Sequence, residues 1–178
     1  VGCGWWTGPD GKPELQVAGL HQTHTMVLDL DKESWMPGTR YSLPTTNSTT
    51  VAAFFTETGR NFVAFSEEVA AAKRWLVRID PDGVGKPVLL LAPVKDKAEF
   101  TAQTDAIGDG LIDDKDPAAT VNGPDGKPVA HLQFISDGSL LAGGRIIPRR
   151  ADGKGGLSYD WSQYDPSHPA ALPTGGQG

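Results

Sequence analysis

The sequence lacks several features that mark large functional classes. It has a single cysteine, Cys3, which excludes an internal disulfide. Its apolar runs, such as 88–92, are far shorter than the roughly 18 residues that cross a bilayer. Basic residues never cluster beyond adjacent pairs, and the net charge is −6, unlike the basic stripe that tracks nucleic-acid phosphates. The sequence therefore predicts a soluble protein without a disulfide framework, a transmembrane segment or a nucleic-acid partner.

The abundant residues are the turn formers, with 22 glycines and 14 prolines. The run Gly8-Pro9-Asp10-Gly11-Lys12-Pro13 returns unchanged at 123–128, and related Asp-Gly turns occur at 80–83 and 136–138. Proline, aspartate and glycine each favour a different corner of a tight turn. Short apolar runs flank these turns in pairs, which is typical of β-hairpins. We predict an all-β domain of antiparallel hairpins that forms a sandwich, a barrel or a partial propeller.

Two stretches favour short helices within this β-rich chain. Residues 66–73 begin with Ser66 as an N-cap, followed by acidic and strongly helix-forming residues, and they fit either a short helix or a long hairpin tip with one helical turn. Residues 96–108 begin with a capping-box spacing between Asp96 and Glu99 and end at a glycine. The predicted organisation is an N-terminal tether over 1–7, one β-rich domain over 8–165, and a flexible tail over 166–178.

The N-terminal residues carry a first resemblance. Val1-Gly2-Cys3-Gly4 resembles the end of a bacterial lipoprotein signal, in which the cysteine is lipidated. An ordinary free thiol near the terminus is the alternative. The resemblance implies a lipid-anchored protein of the periplasm or outer membrane, or otherwise a secreted protein.

A second resemblance lies in one hairpin. Residues 134–141, with Phe134, Asp137, Gly138 and Leu141, resemble the Phe-x-x-Asp-Gly-x-x-Leu hairpin of β-propeller blades. The chain is barely long enough for four blades of about 40 residues. In type, the sequence resembles the acidic, β-rich immunity proteins that protect bacteria from secreted toxins. That resemblance implies a protein partner, either a toxin or an enzyme of the cell envelope.

Residues 105–116 form the most acidic stretch, which resembles the calcium loops of EF-hands and thrombospondin type 3 repeats. Such loops supply six to eight oxygens at alternate positions around a glycine turn. Asp105, Asp109, Asp113 and Asp116 would be the ligands, although Ile107 offers no oxygen at the third position. We predict that no cofactor is required and that this loop is a candidate calcium site. The alternative is a solvated acidic loop.

Other catalytic signatures are weak. His21 and His24 have a His-x-x-His spacing, but on a strand they would point to opposite faces. The sequence contains no Gly-x-Ser-x-Gly and no phosphate-binding loop. We therefore predict a non-enzymatic protein, with a carboxylate-based glycan hydrolase as the alternative.

Aromatic residues complete the set of candidate sites. Trp5 and Trp6 are adjacent, so on a strand one faces inward and the other outward. Trp161 and Tyr164 lie in a polar C-terminal region, where exposed rings anchor ligands well. We predict that Asp109, Asp113, Asp116, Trp161 and Tyr164 contact a partner protein, and that the protein acts outside the cytoplasm as an immunity protein or inhibitor. A calcium-stabilised adhesive or structural module is a further alternative.

Overall fold

The computed structural model describes residues 2–8, 10–18, 24–29, 31–69, 72–153 and 156–164. Within these ranges the chain is all-β, and the one helical element is a single 3₁₀ turn at Trp161–Gln163. The predicted fold class is confirmed. The predicted tail over 166–178 lies outside the described residues.

The strands fall into one large sheet and two small ones. The large sheet contains β1 (Gly2–Thr7), β2 (Pro13–Ala18), β3 (His24–Asp29), β4 (Ser34–Arg40), β5 (Thr49–Glu57), β6 (Arg60–Glu67), β7 (Arg74–Ile79), β8 (Gly85–Pro93), β9 (Phe100–Gln103) and β10 (Ala119–Thr120). The small sheets contain β11 (Gln133–Phe134), β12 (Leu140–Ala142) and β13 (Arg145–Ile147), and then β14 (Arg149–Ala151) and β15 (Leu157–Tyr159).

The large sheet consists of two antiparallel meanders joined side by side. Its order is β10-β9-β8-β7-β6-β5-β1-β2-β3-β4. β1 and β5 run parallel, with Gly4 in register with Phe54, and all other neighbours are antiparallel. We call β1–β4 the N-terminal wing. Residues 2–7, predicted as a tether, are therefore a central strand of the sheet. The two outermost strands, β4 and β10, are not paired with each other, so these ten strands do not close into a barrel.

The repeated turn sequence gives a repeated geometry. The amide of Gly8 donates to the carbonyl of Lys12, and that of Gly123 donates to Lys127 in the same way. In each turn the third residue is an aspartate whose carboxylate accepts an amide two residues later. The fourth is a glycine with positive φ, +80° at Gly11 and +75° at Gly126. Turns 80–84 and 135–139 have the same pattern. The sequence repeat is therefore one turn design used four times.

Both faces of the central strands are buried, which explains their nearly continuous apolar runs. One face packs beneath the small sheets, and its buried side chains join those of the covering segments in the first core cluster: Ala53, Phe55, Phe62, Ala64, Leu76, Leu91, Phe100, Val121, Val129, Leu132, Phe134, Leu140, Ala142 and Ile147. The opposite face forms the second core cluster: Trp6, Tyr41, Val51, Phe54, Val63, Phe65, Trp75, Val77, Ile79 and Leu90. Ile112 from the acidic loop packs against this second cluster.

Both predicted α-helices are wrong. Residues 66–67 continue β6, and Ser66 pairs with Arg74 of β7 across a short hairpin loop. Residues 94–99 form a turn, after which Phe100 begins β9 and pairs with Pro93. Phe100 is buried in the first core cluster. Burial of strand residues on a shared sheet outweighs local helix propensity, which is a weak preference.

Candidate binding surface

One face of the N-terminal wing is made almost entirely of apolar side chains. Side chains on a strand alternate between faces, and residues paired across antiparallel strands share a face. The register pairs Trp5 with Leu15 and Leu28 with Trp35, and it pairs Val17 with both Cys3 and Met26. Two parallel rows result: Trp5, Leu15, Leu28 and Trp35, and beside them Cys3, Val17, Met26 and Pro37.

We call these eight residues the apolar shelf. Trp5 is 54% exposed and Trp35 is 50% exposed, while the aliphatic residues between them are half-buried by their lateral neighbours. Among the described residues, none of the eight belongs to either core cluster. All eight are uncharged. A contiguous apolar patch of this kind on a folded protein marks an interaction surface more often than an isolated exposed residue does.

The tryptophan pair at the start of β1 separates the core from the shelf. The Trp6 indole Nε1 donates to the carbonyl of Phe62 at 2.8 Å, and its ring packs edge-on against Phe54 and Tyr41. Trp5, one residue earlier, points to the other face. The prediction that one tryptophan faces inward and the other outward is confirmed.

A glycine allows the wing to pack against the second meander. A Cβ atom at Gly4 would lie 2.1 Å from the carbonyl oxygen of Phe54, closer than any real contact. The missing side chain permits β1 to pair with β5, and the second meander supports the wing from this side. The shelf is therefore carried by regular strands and not by a loop.

A groove of about 430 Å³ runs where the shelf meets the small sheets. Trp5 and Pro13 line one side, and Asp137 and Arg149 line the other. The Arg149 guanidinium lies 4.4 Å from the centre of the Phe55 ring and 3.4 Å from the Glu57 carboxylate. The shelf thus ends at polar side chains of the segment that covers the first core cluster. A partner would contact a flat apolar area with a polar boundary on one side.

The acidic loop is held by two of its own carboxylates. Asp105 accepts amide hydrogen bonds from Gly108, Asp109 and Gly110 at 2.7–3.1 Å. Asp116 accepts from Ala106 at 2.8 Å and from Asp113 at 3.1 Å, and these bonds lower the pKa of its carboxyl, that of Asp113 most. Asp116 is 3% exposed. This position corrects the prediction that Asp116 contacts a partner, because its carboxylate is buried inside the loop.

The other acidic candidates lie on the outside of the same loop. Asp109 accepts the amide of Leu111, and Asp113 accepts that of Lys115 and pairs with its ammonium at 3.6 Å. No three acidic, histidine or cysteine side chains converge as a metal site within the described ranges. Calcium binding by Asp105, Asp109, Asp113 and Asp116 stays a prediction. Sequence reasoning missed the apolar part of the loop, since Ile107 and Leu111 are each more than half exposed.

The C-terminal aromatic candidates lie together. The rings of Trp161 and Tyr164 contact edge-on at 6.5 Å, and both pack, partly buried, against the first core cluster. A side chain at Gly123 would collide with the Tyr164 ring. These rings cover the end of the core and leave only part of their surface for a partner.

The remaining motifs are partly described. Cys3 is exposed on the shelf, and its lipidation stays a prediction. His21 lies outside the described residues, as does the side chain of His24. The pair therefore stays untested as a ligand set.

A cleft of about 600 Å³ lies among the turns at one end of the sheet. Trp6, Asn61 and Ile79 line it together with turn residues. Asp80 is the one carboxylate among its described lining residues. Burial opposes the ionisation of Asp80, but hydrogen bonds from Arg78 and Lys86 outweigh it and lower the pKa. A hydrolase of the glycosidase type needs a second carboxylate across the cleft, which the described lining does not supply.

Within the described part of the chain, no helix has the length and apolar character of a membrane span. Comparison with models of known protein families, with curated proteins and with solved structures gave no significant match.

Proposed function

We propose that this protein acts without catalysis, by binding another protein through the apolar shelf. The observation that carries this proposal is the placement of two half-exposed tryptophans, Trp5 and Trp35, at the two ends of one uncharged row. A narrower form of this proposal keeps the function that the sequence predicts. The protein is then an extracytoplasmic immunity protein or inhibitor, and its partner is a toxin or an envelope enzyme.

The energetics favour a protein ligand over a small molecule. Tryptophan is enriched among the hot spots of protein interfaces, and truncating a hot-spot residue costs about 2 kcal/mol or more. Each buries roughly 150–250 Å² of surface when fully covered. Because both rings are mounted on paired strands, little backbone ordering is needed on binding. The partner should present an apolar, nearly flat or extended surface with polar groups at its edge.

The acidic loop adds an electrostatic contribution to the same proposal. Asp109 and Asp113 lie on the outside of a loop that is closed by its own hydrogen bonds, in a chain of net charge −6. Complementary surface potentials raise the association rate more than the final affinity. A basic partner would therefore associate faster, and the apolar shelf would supply most of the binding free energy.

The test begins with co-purification from native envelope extracts, using the full chain as bait and Trp5→Ser, Trp35→Ser and Ile146→Ser as variants. Ile146 is a matched control because it is 55% exposed on β13, outside the shelf. We expect a stoichiometric protein that wild type and Ile146→Ser retain. For the purified pair, each tryptophan variant should weaken binding by about 30-fold.

Two outcomes would overturn the proposal. One is a purified partner whose affinity is the same for wild type and for both tryptophan variants. The other is the absence of any stoichiometric partner together with glycan-cleaving activity of the pure protein, which would favour the hydrolase alternative. Circular dichroism of each variant separates lost binding from lost folding.

A further inference from the structure

We infer that, when no partner is bound, a second copy of this chain covers the apolar shelf. The free protein is then a face-to-face homodimer, and a partner binds by displacing one copy. This inference rests on the proposed function, because it describes how the same surface is regulated. It commits to a second copy and not to a lipid surface as the occupant of the shelf.

Charge is the first argument. Two identical chains of net charge −6 repel each other over most of their surface. A twofold interface brings each patch against its own copy, so any charged group near its centre meets a like charge. The shelf is a face of four strands with eight uncharged residues, and so it can meet itself without this penalty.

The order of residues in the row that contains both tryptophans is the second argument. The row reads Trp5, Leu15, Leu28, Trp35, with a large side chain at each end and a smaller one at each inner position. A twofold axis parallel to the strands, between β2 and β3, places Trp5 of one copy opposite Trp35 of the other. It also places Leu15 opposite Leu28. The row is therefore symmetric about this axis, so that each indole faces an indole of the other copy and each leucine faces a leucine.

Size is the third argument. Four strands about 4.8 Å apart and six residues long give a face of roughly 20 Å by 20 Å once side chains are included. Covering it removes on the order of 500 Å² of surface per copy, or roughly 1,000 Å² in total, which is the lower limit for a specific interface. Interfaces of this size are typical of weak, transient association, so we expect a dissociation constant on the order of 10 μM, which lets a tighter partner displace one copy. Pro37 interrupts the hydrogen-bonding edge of β4, which disfavours edge-to-edge pairing as the alternative.

Sedimentation velocity of the full chain from about 1 to 100 μM tests the inference. We expect a shift from the mass of one chain to that of two. Leu28→Lys places an ammonium against Leu15 of the other copy and should weaken the dimer by roughly 100-fold or more. Ile146→Lys, on an exposed position outside the shelf, should leave it unchanged.

Two complementary charge substitutions test the proposed twofold axis. Leu15→Glu alone should also be monomeric, but an equimolar mixture of Leu15→Glu and Leu28→Lys chains should form a heterodimer, because the two new charges face each other. Failure of the mixture to associate, while wild type dimerises, would overturn the proposed axis.

The single thiol gives a measurement that needs no substitution. Cys3 lies in the second row of the shelf and is exposed, so dimerisation should slow its alkylation by a maleimide. For a dissociation constant of about 10 μM, the rate should fall about fourfold between 1 and 100 μM protein. A wild-type chain that stays monomeric at 100 μM, with a constant alkylation rate, would overturn the self-association inference. The proposed function would survive that result if the tryptophan variants still lost their partner.

Discussion

Gly138 and Gly126 occupy the same position in two copies of the same turn, which makes them a matched pair for substitution by alanine. Their φ angles are +81° and +75°, a region where a side chain costs about 1–2 kcal/mol. Alanine also restricts the unfolded chain, which returns roughly 0.4–1 kcal/mol. From backbone conformation alone, each substitution should therefore lower the free energy of unfolding by about 1 kcal/mol.

The surroundings of the two glycines differ. A Cβ at Gly126 would meet nothing within 4 Å, whereas one at Gly138 would lie 2.2 Å from a ring carbon of Phe55. Phe55 cannot easily move, because its ring stacks on Phe62 and lies under the guanidinium of Arg149. Overpacking of this kind costs about 1–3 kcal/mol. Gly138→Ala should thus lower stability by about 2–4 kcal/mol, against about 1 kcal/mol for Gly126→Ala.

Urea unfolding, monitored by tryptophan fluorescence, measures the loss of free energy of unfolding for both variants under the same conditions. A double-mutant cycle with Phe55→Leu adds a direct check. With the smaller side chain at position 55, most of the extra destabilisation caused by Gly138→Ala should disappear, while the destabilisation caused by Gly126→Ala should not change. Equal losses for the two alanine variants would refute the packing of turn 135–139 on Phe55. They would also refute the position of the small sheets above the first core cluster.

Two further predictions concern solution conditions. Burial raises the pKa of Tyr41 to about 12 and also raises that of Tyr159, so the folded state holds these phenol protons more tightly than the unfolded state. The contribution of Tyr41 to the free energy of unfolding should be constant up to about pH 10 and then fall by up to about 2.7 kcal/mol as pH rises through 12. Tyr41→Phe should flatten that fall, and an unchanged slope would contradict the assignment. Asp105 and Asp116 bind the amides of their own loop, and an unfolding temperature that a chelator leaves unchanged would contradict the predicted calcium site. A decrease that calcium reverses would identify the loop as a calcium site.

The local architecture could be predicted because short stretches of sequence determine the turns. The Pro-Asp-Gly and Ser-Asp-Gly turns determine their own geometry through the aspartate carboxylate and the glycine φ, so the hairpins β7–β8 and β11–β12 follow from the sequence. The acidic residues of 105–116 do lie in one loop. The two predicted helices failed because the competing preference, burial on a shared sheet, depends on residues far away in the chain.

The apolar shelf could not be predicted for a related reason. Trp5 and Trp35 are thirty residues apart, and they share a face only because of the register of β1–β4. A shift of one residue in any pair would have sent one of them to the other face. The parallel pairing of β1 with β5 likewise depends on residues far apart in the chain, and it is possible because residue 4 is a glycine. Sequence reasoning therefore predicted that one of the first two tryptophans would be exposed, but not the neighbours that make it part of a surface.

The junction between β1 and β5 has a consequence for how the chain folds and opens. The second meander is built from sequential hairpins, whereas the wing is joined to it through contacts that span about fifty positions, such as the Thr7 amide with Thr56 and Asn61. Closing that long loop is entropically slow, so the wing should dock after the second meander has formed. It should also detach first, as a cooperative unit, and its amides should exchange with deuterium sooner than those of β6 and β7.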